Sequence, residues 1–168
     1  MDDRTGDNRK PVLVLGIGNF LFKDEGIGIH VIQKMQTMPL PPDIELLDGG
    51  MASNIFTYLI EKRRKVIVID VMQAGGPPGT VYRLSEKDFL EERKGHPRTT
   101  QETEFEDAFR TTITIKTRPE ELVVIGVEPE DIGEKDLKAK IELSRTLEAK
   151  IPEIIETVMR EIGLCQSL

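Results

Sequence analysis

Two acidic residues stand where an α/β chain does its chemistry. Asp70 ends the apolar run Lys65 to Asp70 (KVIVID), and Glu25 follows another such run, Val12 to Gly16 (VLVLG), after a loop that must fold back before its helix can start. Short continuous apolar runs of this kind are the pattern of strands buried on both faces of a parallel sheet. In open sheets of that type ligands bind beyond the carboxyl ends of the strands, where the strand order reverses, usually between the first strand and the third. Neighbouring strands lie about 4.8 Å apart, so carboxylates at two such ends can share one divalent cation, and without it they repel each other. Plainer roles are open to both residues: Glu25 suits a helix N-terminus and Asp70 can cap the next turn. Asp48-Gly49-Gly50 reads as a loop after a third run, Asp43 to Leu47 (DIELL); it is ordinary turn chemistry, yet its glycines would let a bound peptide backbone approach closely.

Other chemistry finds less support. Gly16-Ile17-Gly18-Asn19 after a strand is part of a dinucleotide fingerprint, but Leu21 occupies the place of its third glycine and no helix is expected to start directly there, so an oxidoreductase reading rests on four residues. G-x-S-x-G and H-E-x-x-H are absent, and Cys165, the one cysteine, is distant in sequence from His30 and His96. His30 falls inside the first helix, on its surface or half-buried. His96 lies in a charged loop beside Pro97, from which it could swing toward the sheet edge.

The elements that must position these residues follow from periodicity. After the first strand, Ile27, Val31 and Met35 recur every four residues beside Gly28 and Ile32 as one helical face, with Asp24 and Glu25 at its positive end. The second strand is followed by a helix from about Ala52 to Glu61, and then by the third strand, Lys65 to Asp70, giving β-α-β-α-β. Gly75-Gly76-Pro77-Pro78-Gly79 is a tight break, and the run Thr80 to Leu84 follows too soon for a crossover helix, which predicts an antiparallel strand near an edge. From Glu86 to Glu106 charges dominate and a loop is expected, with a short helical turn near Phe89. A helix around Glu104 to Thr112, a last strand from Leu122 to Val127 and a helical segment after Asp136 complete the chain; Pro152 should kink or restart that helix, and Gly163 should stop it.

These elements make one α/β domain, a five-stranded twisted, mostly parallel sheet with one antiparallel strand and helices on both faces, over residues 11–168 behind a loose, disordered tail of residues 1–10. A chain of 168 residues has room for one real core, since domains of this size bury roughly 70% of the surface their unfolded chains expose. Asp and Glu number 30 against 23 Lys and Arg, for a net charge of −7, and no basic cluster offers a footprint for nucleic acid. A single cysteine, a polar start with no apolar leader and no run approaching the ~20 apolar residues of a membrane span point to the cytoplasm.

Taken together, GIGNFLFKDEGIGIHVI at 16–32, LLDGGMA at 46–52, VIVIDVM at 66–72, PGTVYRL at 78–84 and VVIGVEPEDIG at 123–133 resemble the hydrogenase maturation peptidases, the endopeptidases that trim nickel-iron hydrogenase large subunits. The resemblance runs from about Val12 to Gly163. It implies an endopeptidase that recognises nickel already inserted in a large-subunit precursor and removes a short C-terminal extension. It also implies three metal-holding residues: the Glu after G-x-G-N-x-L-x-x-D, here Glu25; the Asp ending the third strand, Asp70; and a histidine in the later loop. Counting back from Pro119 without a gap puts Gln101 at the histidine position.

This departure from the family pattern matters, because imidazole suits nickel and a neutral amide oxygen is the weaker ligand. Coordination through the Gln101 oxygen is the favoured expectation, with His96 as a substitute or loss of metal sensing as the other outcomes. In the family Asp48, Gly49 and Gly50 lie near the cleft, which makes Asp48 the candidate catalytic residue, positioning substrate or assisting proton transfer, and Gly49 and Gly50 substrate-binding. The nickel belongs to the precursor, and other divalent ions could occupy the same donors. The expected partner is that precursor, with no nucleic acid and no membrane span. The rival is a non-catalytic nickel-sensing chaperone of the same large subunit, motivated by Gln101 and by the lack of a standard nucleophile.

Overall fold

The computed structural model describes residues 8–50, 53–91, 100–133 and 141–164, with the backbone alone at 53 and 100–102. Five strands form one sheet: β1 (Val12–Ile17), β2 (Ile44–Gly50), β3 (Lys65–Val71), β4 (Val81–Ser85) and β5 (Glu121–Val127), in the order β2-β1-β3-β5-β4. β1, β2, β3 and β5 are parallel, and β4 runs antiparallel to β5 at the edge, as the short connection after β3 requires. The strand order reverses between β1 and β3, so the ends of those two strands flank the crevice where such sheets hold ligands.

The period-two alternation of the central strands sorts the core onto two faces. Val12, Val14, Ile67, Ile69, Val123 and Ile125 meet helices α1 (Ile27–Met35) and α5 (Arg145–Glu161). Leu13, Leu15, Val66, Val68, Leu122 and Val124 meet α2 (Phe56–Ile60), α3 (Glu86–Glu91) and α4 (Thr100–Thr114), where Phe105 packs edge-on against both Phe56 and Phe89. The helical turn expected near Phe89 is α3, and α4 extends the helix expected at Glu104 to Thr112 in both directions.

Several local expectations are corrected. Asp48, Gly49 and Gly50 are not a loop but the last residues of β2: Asp48 pairs with Gly16 and Gly50 with Ile17, the register shifting between them as a bulge. The second helix is shorter than Ala52 to Glu61, a 3-10 turn at Ser53–Ile55 followed by α2, which ends where Glu61 adopts an extended backbone; Met51 and Ala52 lie outside the described residues. The last helix begins at Arg145, where Ser144 caps it by accepting the Leu147 N–H, and residues 141–144 are irregular; 134–140 lie outside the described residues. Pro152 does not restart α5, which runs through it unbroken; it sits on the exposed side of the helix, where water can reach the carbonyl its missing N–H leaves free. Gly163 does stop the helix, at φ +77°, with Leu164 N–H returning to the Met159 carbonyl.

Of the expected tail, residues 1–7 lie outside the described residues, while Arg9 stacks its guanidinium 4.5 Å from the centre of the Tyr58 ring and Lys10 donates its ammonium to the Ile44 carbonyl. Cys165 also lies outside them. Among the described residues no helix is long and apolar enough to cross a membrane.

Helix and sheet approach each other closely at Gly28, in the first turn of α1. A Cβ there would collide with the Ile69 carbonyl oxygen and stand 2.7 Å from that of Ile17, at the ends of β3 and β1. Neither backbone can yield without disturbing the sheet. Gly28→Ala is therefore expected to lower stability by about 1–3 kcal/mol in urea unfolding, and an unchanged midpoint would show that the helix can lift without cost.

Candidate active site at the β1/β3 crevice

Asp70 lies on β3 in register with Gly126 of β5. It is 3% exposed, its Oδ1 accepts the Val71 N–H at 2.8 Å, and it lines a narrow apolar pocket with Ile17, Val68, Phe89 and Phe105. Its side chain therefore leaves the sheet on the face covered by α3 and α4.

Glu25 is delivered by the loop after β1. That loop closes on itself: Asn19 N–H donates to the Glu25 carbonyl at 3.2 Å, Glu25 N–H donates to the Phe22 carbonyl at 3.0 Å, and the Asn19 side chain accepts the Leu21 N–H at 3.0 Å. The acids expected in the first turn of α1 instead form a 3-10 turn, Lys23–Gly26, ahead of it, and α1 has no acid in its own first turn. Glu25 is half-buried, and that burial raises its carboxyl pKa above the ordinary value.

Gly18 brings the backbone of Glu25 and the carboxylate of Asp70 to one place. Its φ of +122° excludes ordinary side chains, and a Cβ there would collide with the Glu25 carbonyl and stand 3.3 Å from Asp70 Oδ1. The backbone that carries Glu25 and the carboxylate of Asp70 thus face each other across a position with no side chain, at the gap between β1 and β3.

Asp48 is placed otherwise. It is exposed, and its Oδ1 accepts the Gly50 N–H at 3.0 Å. Its pairing with Gly16 puts it on the α1 face of β2, opposite to the face from which Asp70 projects and two strands away from it. Gly49 is buried beside β1, Gly50 is partly exposed, and both end the edge strand next to the crevice. Gln101 is in the first turn of α4, on the sheet face that Asp70 shares, but its side chain lies outside the described residues, as does His96 entirely. His30 is partly exposed, as expected, stacked on Phe20 and bonded to the Ile141 carbonyl at 3.0 Å. Among the described residues, no three His, Cys, Asp or Glu side chains come together as a group that could hold a metal.

Two further acids, Asp24, expected only to favour the start of α1, and Glu128, tie the backbone around this crevice. Asp24, wholly buried, accepts backbone N–H groups from Glu130, Asp131 and Ser144. Glu128, 7% exposed and just past the end of β5, accepts the Ala74 N–H at 2.9 Å, those of Gly75 and Gly76 at longer range and the Tyr82 hydroxyl at 2.9 Å, which fastens the loop after β3. Burial, reinforced by the Glu128 carboxylate, raises the Tyr82 hydroxyl pKa. The available signal was an acid just past a buried strand, in VVIGVEPEDIG, beside the strand that carries Asp70.

Comparison with known proteins matches the chain to one family. A family model described as hydrogenase maturation protease matches residues 29–161. The chain is 33% identical over 126 residues to the hydrogenase expression/formation protein HupD of Rhodobacter capsulatus, a match over 73% of this chain and 60% of that protein's length. It is 31% identical over 160 residues to the hydrogenase 2 maturation protease of Escherichia coli K12, over 91% of this chain and 93% of the relative. The solved structure of the hydrogenase maturating endopeptidase HybD from E. coli superposes with a TM-score of 0.79 at 28% identity, covering 90% of this chain and 93% of that one. With the family match over most of the sequence and that likeness in fold, the chain belongs to the hydrogenase maturation protease family.

Proposed function

We propose that this chain is an endopeptidase that removes the C-terminal extension of a nickel-iron hydrogenase large-subunit precursor after recognising the nickel inserted in it. The observation that supports the reading is that the backbone carrying Glu25 and the Asp70 carboxylate flank Gly18 at the switch point of the sheet. An ion that arrives already ligated inside a precursor needs only a few further donors, so two carboxylates are a sufficient reader where a resident metal would demand a full set. Gln101 completes or borders the site through its amide oxygen, and the same donors accept other divalent ions. Asp48, Gly49 and Gly50, at the end of edge strand β2, position the peptide to be cut, with Asp48 the candidate to assist proton transfer. The proposed place of the reaction is the cytoplasm.

The test is incubation of the purified chain with nickel-loaded precursor, following loss of the extension by mass spectrometry. Glu25→Ala and Asp70→Ala are each expected to abolish nickel-dependent trimming, and equal trimming of nickel-free precursor would defeat the reading. One sequence feature favours a second reading, a nickel-sensing chaperone that binds without cutting: glutamine stands at the family's histidine position. Binding with no trimming, converted to trimming by Gln101→His, would establish it.

A pH experiment tests the cost of placing Glu25 here. Its folded pKa is raised, so the native state holds a proton that the unfolded state releases, and stability falls as pH rises from the unfolded value of 4.5 through the raised folded value. Glu25→Gln removes this penalty. The variant is expected to melt higher than the parent at about pH 7 and to match it at about pH 4, below both values; a lower melting temperature at pH 7 would show that the charge stabilises the fold.

A further inference from the structure

The residue just before Glu25 is more firmly held than Glu25 itself. The Asp24 carboxylate is completely buried and accepts Glu130 N–H at 2.9 Å and Asp131 N–H at 2.8 Å on Oδ2, and Ser144 N–H at 2.8 Å on Oδ1. These donors come from two segments remote in sequence, one following β5 and one leading into α5. The Asp24 N–H donates in turn to the Asp131 carbonyl at 3.2 Å, and the Lys23 ammonium pairs with the Asp131 carboxylate.

Lys23 has φ +43°, in the left-handed region that side chains other than glycine rarely adopt. Backbone of this kind persists where its surroundings over-determine it, and here the surroundings are the bonds of Asp24 and the ion pair of Lys23. Ser144 is held at both ends, its N–H by Asp24 while its Oγ caps α5 through the Leu147 N–H. The turn that carries Glu25, the segment after β5 and the start of α5 are therefore one bonded unit with the Asp24 carboxylate at its centre.

We propose that Asp24 is the positioning residue for Glu25: by fixing the strained turn against the segments at 130–131 and 144, it sets where the Glu25 carboxyl stands relative to Asp70 and so sets the affinity of the crevice for nickel. This rests on the reading that Glu25 meets the nickel. Asp24 touches neither metal nor peptide in this account; it acts through its neighbour.

The distinction from a purely structural anchor is measurable. Asp24→Asn conserves shape but turns an amide donor toward backbone donors, which breaks at least one of the three bonds. The unsubstituted chain, Asp24→Asn, Glu25→Gln and the double variant are titrated with nickel ion alone by calorimetry, each at a temperature where circular dichroism shows it folded. Asp24→Asn is expected to weaken nickel binding about tenfold, and the double variant to bind as Glu25→Gln does, since without a carboxylate at position 25 there is nothing left to position.

The same factor lost with Glu25 present or absent would reduce Asp24 to a structural anchor, and no loss in the single variant would remove it altogether. Unchanged binding in Glu25→Gln would instead overturn the metal reading of Glu25, and this inference with it, whereas impaired Glu25→Gln beside intact Asp24→Asn would sink the positioning role alone. Should Asp24→Asn fail to fold, Ser144→Pro deletes one of the donors from the other side, at a φ of −58° that proline accepts. It must show the same dependence on Glu25, and an equal loss in the Glu25→Gln background would overturn the proposal.

Discussion

Backbone meets backbone at the end of the β1/β3 gap with no side chain between, and the rest of the crevice is arranged around that contact. Gly28 seats the first turn of α1 on the carbonyls of Ile17 and Ile69, and Gly18 lets the Glu25 carbonyl pass beside the Asp70 carboxylate. Both approaches are closer than any Cβ permits, so the spacing of these glycines along the chain fixes how near the loop after β1 can come to the end of β3. Packed interiors do not yield continuously, and a displacement here would move Glu25 and α1 together.

Once the loop is so placed, it needs partners, because a buried irregular segment carries amide groups that secondary structure does not satisfy. Two acids supply them. Asp24 collects N–H groups from both sides of the segment between β5 and α5, and Glu128 collects them from the loop after β3, with the Tyr82 hydroxyl added. The walls of the crevice are thus tied by side-chain carboxylates to backbone, a bond that is stronger than a neutral one and costly to break when buried.

Most of the fold was legible because buried parallel strands are written as continuous apolar runs, and the gap between β3 and β4 is too short for a crossover. What escaped was set at long range. Glycine and aspartate mark Asp48 to Gly50 as a turn, but pairing with Gly16 and Ile17 keeps them in the sheet. Nothing near Asp136 reveals that the last helix waits until Ser144, whose amide is claimed by a carboxylate 120 positions earlier. The candidate site divides in the same way. Glu25 and Asp70 could be placed from topology, since strand ends at a switch point are fixed by strand order. The roles of Asp24 and Glu128 could not, since each depends on partners 46 or more positions distant.

Exposure separates the acids of this edge by role. Asp24 and Glu128 are buried and saturated with backbone donors, so they are fixed parts of the frame. Asp70 is nearly as buried, whereas Glu25 is reached by solvent and its carboxyl holds its proton more tightly than an exposed one would. On the proposed reading, a cation carried in a folded partner would meet Glu25 before Asp70, and would have to displace a proton there as the pH falls toward the raised value. Burial that disfavours the lone charge favours the pair of charge and cation, because attraction strengthens in the same low-dielectric surroundings that penalise the isolated ion. If Glu25 reads the metal as proposed, its half-withdrawal from water and the turn that holds it would suit it to answering a cation rather than to binding solvent.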